Sequence, residues 1–260
     1  MKKKKAAKTT EKTPRKAAEK APKISKSESR IKTGIENLDR LTEGGFEKNS
    51  TNLLVGGSGS GKTILAIQFL MEGMKHGEKV LYVTFEEQKE EFYKNMLKLG
   101  LRLEEYEKKG LFMFLEYQPE KVKTMLEEGG GAIENTVVHN KVSRMAIDSI
   151  TSFALLFDNE LKKREAALTL FNMIANWNCT SLLTYEGDPL RDEGIDHKAL
   201  EFEADSVILL YQVLSKGQRE NYLEVLKMRG TKHATQIYRF TIGKNGIMLD
   251  KSPYKGDIHK

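Results

Sequence analysis

Gly56-Gly57-Ser58-Gly59-Ser60-Gly61-Lys62-Thr63 is the stretch that decides how this chain is read. It fits the pattern G-x-x-x-x-G-K-[ST], a phosphate-binding loop. The run Asn52-Leu53-Leu54-Val55 leads into it, and Ile64-Leu65-Ala66-Ile67-Gln68-Phe69-Leu70 opens a helical pattern behind it. Strand, glycine loop and helix is the setting the motif requires. Glycines let the backbone close around phosphate oxygens, and the amides at the helix start supply positive potential. Lys62 is expected at the β- and γ-phosphates of a nucleotide, and Thr63 is expected to offer its hydroxyl to Mg²⁺.

Working outward, strands and helices alternate. Lys79–Phe85 reads as a buried strand that stops at Glu86-Glu87, followed by a helix from Lys89 to Leu99. Leu111–Leu115, Arg144–Ile147 and Cys179–Tyr185 are further strands, and residues 119–128 and 160–176 read as helices. Ala204–Val213, Tyr222–Met228, Thr235–Ile242 and Gly246–Leu249 then follow as strands with short turns. The expected fold is therefore α/β, a mostly parallel twisted sheet with helices on both faces and an antiparallel β extension near the C-terminus. Ligands in such sheets sit at the carboxyl ends of the strands. Gly56, Glu86, Asp148 and Glu186 all fall at strand ends in this reading.

Charge separates the chain into two parts. Residues 1–29 hold ten lysines and Arg15 against three glutamates, a surplus of eight, so the other residues stand at −2 of the total of +6. That segment lacks apolar periodicity and is expected to be a disordered basic tail ahead of a folded domain over 30–260. It reads equally as an arm for nucleic acid or another acidic partner and as a solubilising extension. No apolar run approaches the ~20 residues of a membrane span, and no apolar segment follows the first lysines, so a cytoplasmic location without membrane contact is expected. The lone Cys179 lies in an apolar run and reads as a core thiol. The five histidines are scattered and offer no metal-ligand spacing. Trp177, at a helix end, reads as core.

Asp148 closes an apolar strand, the placement of the acidic Mg²⁺ residue in P-loop ATPases. Ser149 follows it, so a base must come from elsewhere. Glu86 and Glu87 are the candidates, with alternation along the strand turning one of them to the phosphate, and Glu186 is the reserve. Lys227 and Arg229, two apart on an expected strand, share a face. They suit either a transferring phosphoryl group or a basic edge that resists aggregation.

Taken together, Thr84-Phe85-Glu86-Glu87, Ile147-Asp148-Ser149 and Leu226-Lys227-Met228-Arg229-Gly230-Thr231-Lys232-His233, with the P-loop, resemble the KaiC branch of the RecA-like ATPases. The resemblance runs from about residue 30 to 250 and implies a RecA-like P-loop fold with ATP and Mg²⁺ as cofactors. It also implies homohexameric rings with ATP at each interface. In it Glu86 and Glu87 lie beside the γ-phosphate, while Lys227, Arg229 and His233 reach a neighbour's nucleotide. The clock protein carries two such domains and this chain has one, so clock function is not implied. The expected function is a ring-forming regulatory or signalling ATPase. The alternatives are a RecA- or RadA-like ATPase that binds nucleic acid in recombination or repair, and an ATP-binding scaffold that hydrolyses little.

Overall fold

The computed structural model describes residues 29–117, 121, 124–126, 129–151, 157, 159–190, 197–215, 217–244 and 246–258. All of the basic tail but Ser29 and most of the helix expected over 119–128 lie outside the described residues, as do His259 and the middle of the loop expected over 187–198.

Alternation of side chains builds the molecule from its strands outward. Strands β3 (Thr51–Gly56), β4 (Val80–Thr84), β5 (Phe112–Glu116), β6 (Arg144–Asp148), β7 (Thr180–Glu186) and β8 (Ser206–Ser215) pair in parallel. Strands β9 (Gln218–Met228), β10 (Ile237–Gly243) and β11 (Gly246–Leu249) continue the sheet antiparallel. The nine strands run in the order β11-β10-β9-β8-β3-β7-β6-β4-β5. Because successive residues point to opposite faces, Leu53, Val55, Leu81, Val83, Met145, Ile147 and Leu183 form one core. Leu54, Val80, Tyr82, Ala146, Leu182 and Ile208 form the other.

Each face carries its own helices. Helices α1 (Glu36–Leu41), α2 (Lys62–Lys75), α3 (Lys89–Lys98) and α4 (Leu103–Lys108) cover the Leu54 face. On the Leu53 face lie α5 (Gly131–Asn140), α6 (Glu160–Asn176) and α7 (His197–Glu203). Trp177 and Cys179 are buried in this second core, where burial pushes the thiol up. A two-stranded sheet of β1 (Arg30–Ile31) and β2 (Phe46–Glu47) brings the chain to β3.

The expected α/β layers and antiparallel extension are present, with differences at the bounds of several elements. β4 ends at Thr84 and not at Phe85. β9 begins at Gln218, four residues before the apolar pattern, because Arg219, Glu220 and Asn221 pair with Leu214, Val213 and Gln212 of β8. The short α4, α7 and β1–β2 pair carry too few apolar residues for periodicity to reveal them; α4 buries only Leu103.

Candidate functional site

The loop after β3 turns tightly into α2. Gly61, at the N-cap, has φ +99°, and a Cβ there would stand 2.9 Å from Ile242 Cδ1 on β10. A side chain at this position would therefore be strained by its backbone and would also press on the hairpin. Gly56 is closed differently: a Cβ would meet Ser60 Oγ at 2.5 Å and Leu210 Cβ at 3.0 Å. Gly57 is half-buried, while Ser58 and Gly59 are exposed. Ser60 Oγ is buried without a hydrogen-bond partner among the described residues.

Lys62 is buried and curls back over the loop. Its Nζ donates to the carbonyls of Gly56 and Gly57, both at 2.9 Å. Burial lowers its ammonium pKa, while Glu186, Asp148 and Glu86 act to raise it. Three carboxylates around one buried ammonium explain how a charge is kept under the loop.

One residue further on, Thr63 Oγ1 donates to Asp148 Oδ2 at 2.6 Å. The acid accepts two more hydroxyls, from Tyr82 Oη to Oδ2 at 2.8 Å and from Thr184 Oγ1 to Oδ1 at 2.5 Å. Asp148 is the last residue of β6 and shares a face with Ala146, so it lies on the α2 side of the sheet. Burial, followed by the charge of Asp148, drives the Tyr82 phenol well above its ordinary value, so Tyr82 stays a donor.

Glu86 and Glu87 follow the end of β4, so strand alternation does not sort them. Both backbone amides turn onto Thr84 Oγ1, at 3.2 and 3.1 Å. Ser149 Oγ donates to Glu86 Oε1 at 3.2 Å. Glu87 has its carboxyl raised, first by burial and then by the Asp148 charge, with Asn95 opposing the shift. Glu186 ends β7 opposite Gly56, and its amide donates to Thr151 Oγ1 at 2.6 Å. Gly56, Lys62, Thr63, Glu86, Glu87, Asp148 and Glu186 thus meet at one edge of the sheet.

Lys227, Arg229 and His233 do not join them. In β3 and β8, Asn52 pairs with Ser206 and Gly56 with Leu210, while Ser206 pairs with Met228 of β9. The end of β9 is therefore four residues, about 13 Å, below the glycine loop along the strand direction. Lys227 Nζ donates to the carbonyls of Glu201 at 2.6 Å, Ala204 at 2.7 Å and Phe202 at 3.3 Å. Arg229 also donates to the Phe202 carbonyl, and lies 3.7 Å from Asp205. Together they satisfy the open C-terminal carbonyls of α7. Arg229 stands one residue beyond β9 and shares the Phe202 carbonyl with Lys227. His233 Nδ1 faces the Ala234 carbonyl at 3.0 Å.

Residues 31–254 match the family model described as KaiC ATPase. The chain belongs to the KaiC ATPase family. It is 32% identical over 228 residues to circadian clock protein KaiC3 of Synechocystis, covering 85% of this chain and 45% of that protein. A UPF0273 protein of Methanopyrus kandleri is 33% identical over 234 residues, covering 85% of this chain and 92% of its own length. The crystal structure of a KaiC-like protein of Pyrococcus horikoshii aligns with a TM-score of 0.75 at 35% identity, covering 85% of this chain and 98% of that one. The chain thus spans less than half of its circadian-clock relative and nearly all of the single-domain ones. Its sheet is the RecA-like sheet of the KaiC family, and the chain is a member of an ATPase family.

Sequence reasoning missed Tyr82 and Thr184. Counting back by two from Thr84 and from Glu186 puts both on the Asp148 face, so a signal existed. The lateral order β7-β6-β4, which sets them on either side of Asp148, is not written in any local pattern.

Proposed function

We propose that this KaiC-family chain binds ATP with Mg²⁺ at the loop 56–63 and hydrolyses it as a ring-forming, cytoplasmic regulatory ATPase. The observation that carries the reading is the 2.6 Å contact between Thr63 and Asp148, which joins the phosphate loop to the acid at the end of a neighbouring strand. The donors suit a small hard cation: one hydroxyl and one carboxylate, with the remaining positions left to phosphate oxygens and water. Among the described residues no group of three or more His, Cys, Asp or Glu is placed to hold a metal ion by itself. Bound there, Mg²⁺ would neutralise charge on the phosphates.

The protein's own groups divide the remaining work. Loop amides and the start of α2 hold the phosphates. Lys62 leaves the Gly56 and Gly57 carbonyls for phosphate oxygens. Glu86 and Glu87 flank the edge where an attacking water would stand, and one of them takes its proton. Lys227, Arg229 and His233 act on the nucleotide of a neighbouring subunit. Their distance from the loop of their own chain supports a role in trans, since a head-to-tail ring sets one subunit's far edge against the next one's loop.

Steady-state ATP hydrolysis, combined with the particle mass in ATP and in ADP, tests the reading. Hydrolysis by a hexamer supports it, and a monomer without turnover overturns it. The +8 surplus of residues 1–29 favours a second reading, ATP-controlled nucleic-acid binding. Salt-sensitive DNA binding that vanishes with those residues would be non-specific electrostatics. ATP-dependent binding kept by residues 30–260 would establish the second reading.

A further inference from the structure

Asp148 is held from both sides. β4 lies on one flank of β6 and β7 on the other, and each sends one hydroxyl to a different oxygen of the carboxylate. Tyr82 and Thr184 are both fully buried, so they sit beneath the nucleotide edge rather than on it. Neither can turn away. The Tyr82 ring stacks on Phe92 of α3 at 4.5 Å and on Phe114 of β5 at 5.7 Å, and Thr184 lies inside β7 with no exposed surface.

We propose that Tyr82 and Thr184 are positioning residues of the cation site, a two-sided hydroxyl clamp that fixes the Asp148 carboxylate with Oδ2 turned to Thr63. The inference rests on the Mg²⁺-nucleotide reading above and deepens it. A free aspartate rotates broadly about its last torsion. A donor on each oxygen, from two different strands, removes that freedom before a ligand arrives. Three hydroxyls occupy three of about four lone-pair sites on the carboxylate. Thr63 has one hydrogen and two lone pairs, so it can keep its hydrogen on Asp148 while offering its oxygen to a cation. Partners of this kind orient the groups that hold a metal, and their removal typically costs 10–100-fold in metal affinity. The clamp also ties the site to the aromatic cluster of α3 and β5, so a shift of α3 would reach Asp148 through Tyr82.

The test uses Mn²⁺ as the probe, read by electron paramagnetic resonance, with the full-length protein in excess over ADP. Tyr82→Phe and Thr184→Val each delete one hydroxyl with little change of shape. Each should weaken Mn²⁺ binding about tenfold, and affinity for a fluorescent ATP analogue in a chelator should stay at the wild-type level. Thr184→Ser restores a hydroxyl and should return Mn²⁺ affinity to within about twofold of wild type. A merely structural role would lower the melting temperature and leave Mn²⁺ affinity alone. Wild-type Mn²⁺ affinity in both deletions, or a loss in only one of them, overturns the clamp and leaves the nucleotide reading standing. No Mn²⁺ binding by the wild type with ADP removes that reading and the clamp with it. If Tyr82→Phe does not fold, the Thr184→Val and Thr184→Ser pair decides alone, and equal affinities overturn the clamp.

Discussion

Lys62 is the residue on which the site turns. Its ammonium is buried against two carbonyls and gains charge compensation from Glu186, Asp148 and Glu86. Lys62→Ala should abolish tight ATP binding, as titration with a fluorescent analogue would reveal; unchanged affinity would move the nucleotide elsewhere. Glu86→Gln combined with Glu87→Gln should keep binding and slow hydrolysis by about 10²–10⁴. Full turnover in that variant would take both residues out of the mechanism and leave Glu186 to be examined. Glu87 also makes a pH prediction. Its folded carboxyl titrates above the ordinary 4.5. Between the unfolded and folded values the native state therefore holds more protons than the unfolded one, so stability falls as pH rises through that window. Glu87→Gln removes the titration. The melting temperature of the variant should gain on the wild type as pH rises from about 4 to neutrality, and a constant gap between the two curves would contradict the assignment.

Single elements are fastened by a few polar side chains at their ends. Arg144 opens β6 at the edge opposite the glycine loop and is only 3% exposed. Its Nε and one terminal nitrogen grip the two oxygens of Glu78 at 2.7 and 2.9 Å. The other nitrogen donates to the carbonyls of Lys32 and Phe69 at 2.7 and 3.0 Å. One guanidinium thus joins β6, α2 and the segment that follows β1, and it lies over the Phe69 ring. Gly73 leaves room for it, since a Cβ there would stand 2.5 Å from Arg144 Nε. Arg144→Leu should lower stability by about 3–5 kcal/mol, because it strands a half-buried carboxylate and two carbonyls. Urea unfolding would measure this, and a loss under about 1 kcal/mol would mean the network contributes little. At the other end of the chain, Gln68 of α2 accepts from the Ile247 amide at 2.8 Å and donates to the carbonyls of Gly34 and Ile247, each at 3.2 Å. This one amide ties β11 of the β10–β11 hairpin to the P-loop helix, beside the packing of Phe240, Ile247 and Leu249 in the same core.

For the whole molecule the question is whether one copy completes another. The described chain places the P-loop at one sheet edge and the Lys227–Arg229 pair near the other. Arg229→Ala and Lys62→Ala subunits carry opposite defects. In a head-to-tail ring an interface that joins the intact loop of the first to the intact edge of the second has both groups. In equimolar mixed rings roughly one interface in four should be complete, so hydrolysis should recover in part while each variant alone stays nearly inactive. Subunits must first exchange without nucleotide. If exchange is verified and activity does not rise, Arg229 acts within its own chain, as the cap on α7 that its contact with Phe202 describes.

Local sequence was enough for the glycine loop, for the alternation of strands and helices, and for the acid closing β6. Each of these is a periodicity or a spacing within a dozen residues. Side-chain alternation also assigns the residues of the regular strands to a face. It cannot say which strand lies beside which, because the lateral order β3-β7-β6-β4 depends on crossovers packed over whole helices. That order alone sets Tyr82 and Thr184 against Asp148. The same limit applies to Glu86 and Glu87, sorted in the sequence by an alternation that β4 abandons at Thr84. It applies again to Lys227, whose intramolecular carbonyl partners come from a helix with too few apolar positions to be read in advance. The chemistry of each group belongs to its residue type, and its partner is decided by tertiary contacts between segments far apart in the chain.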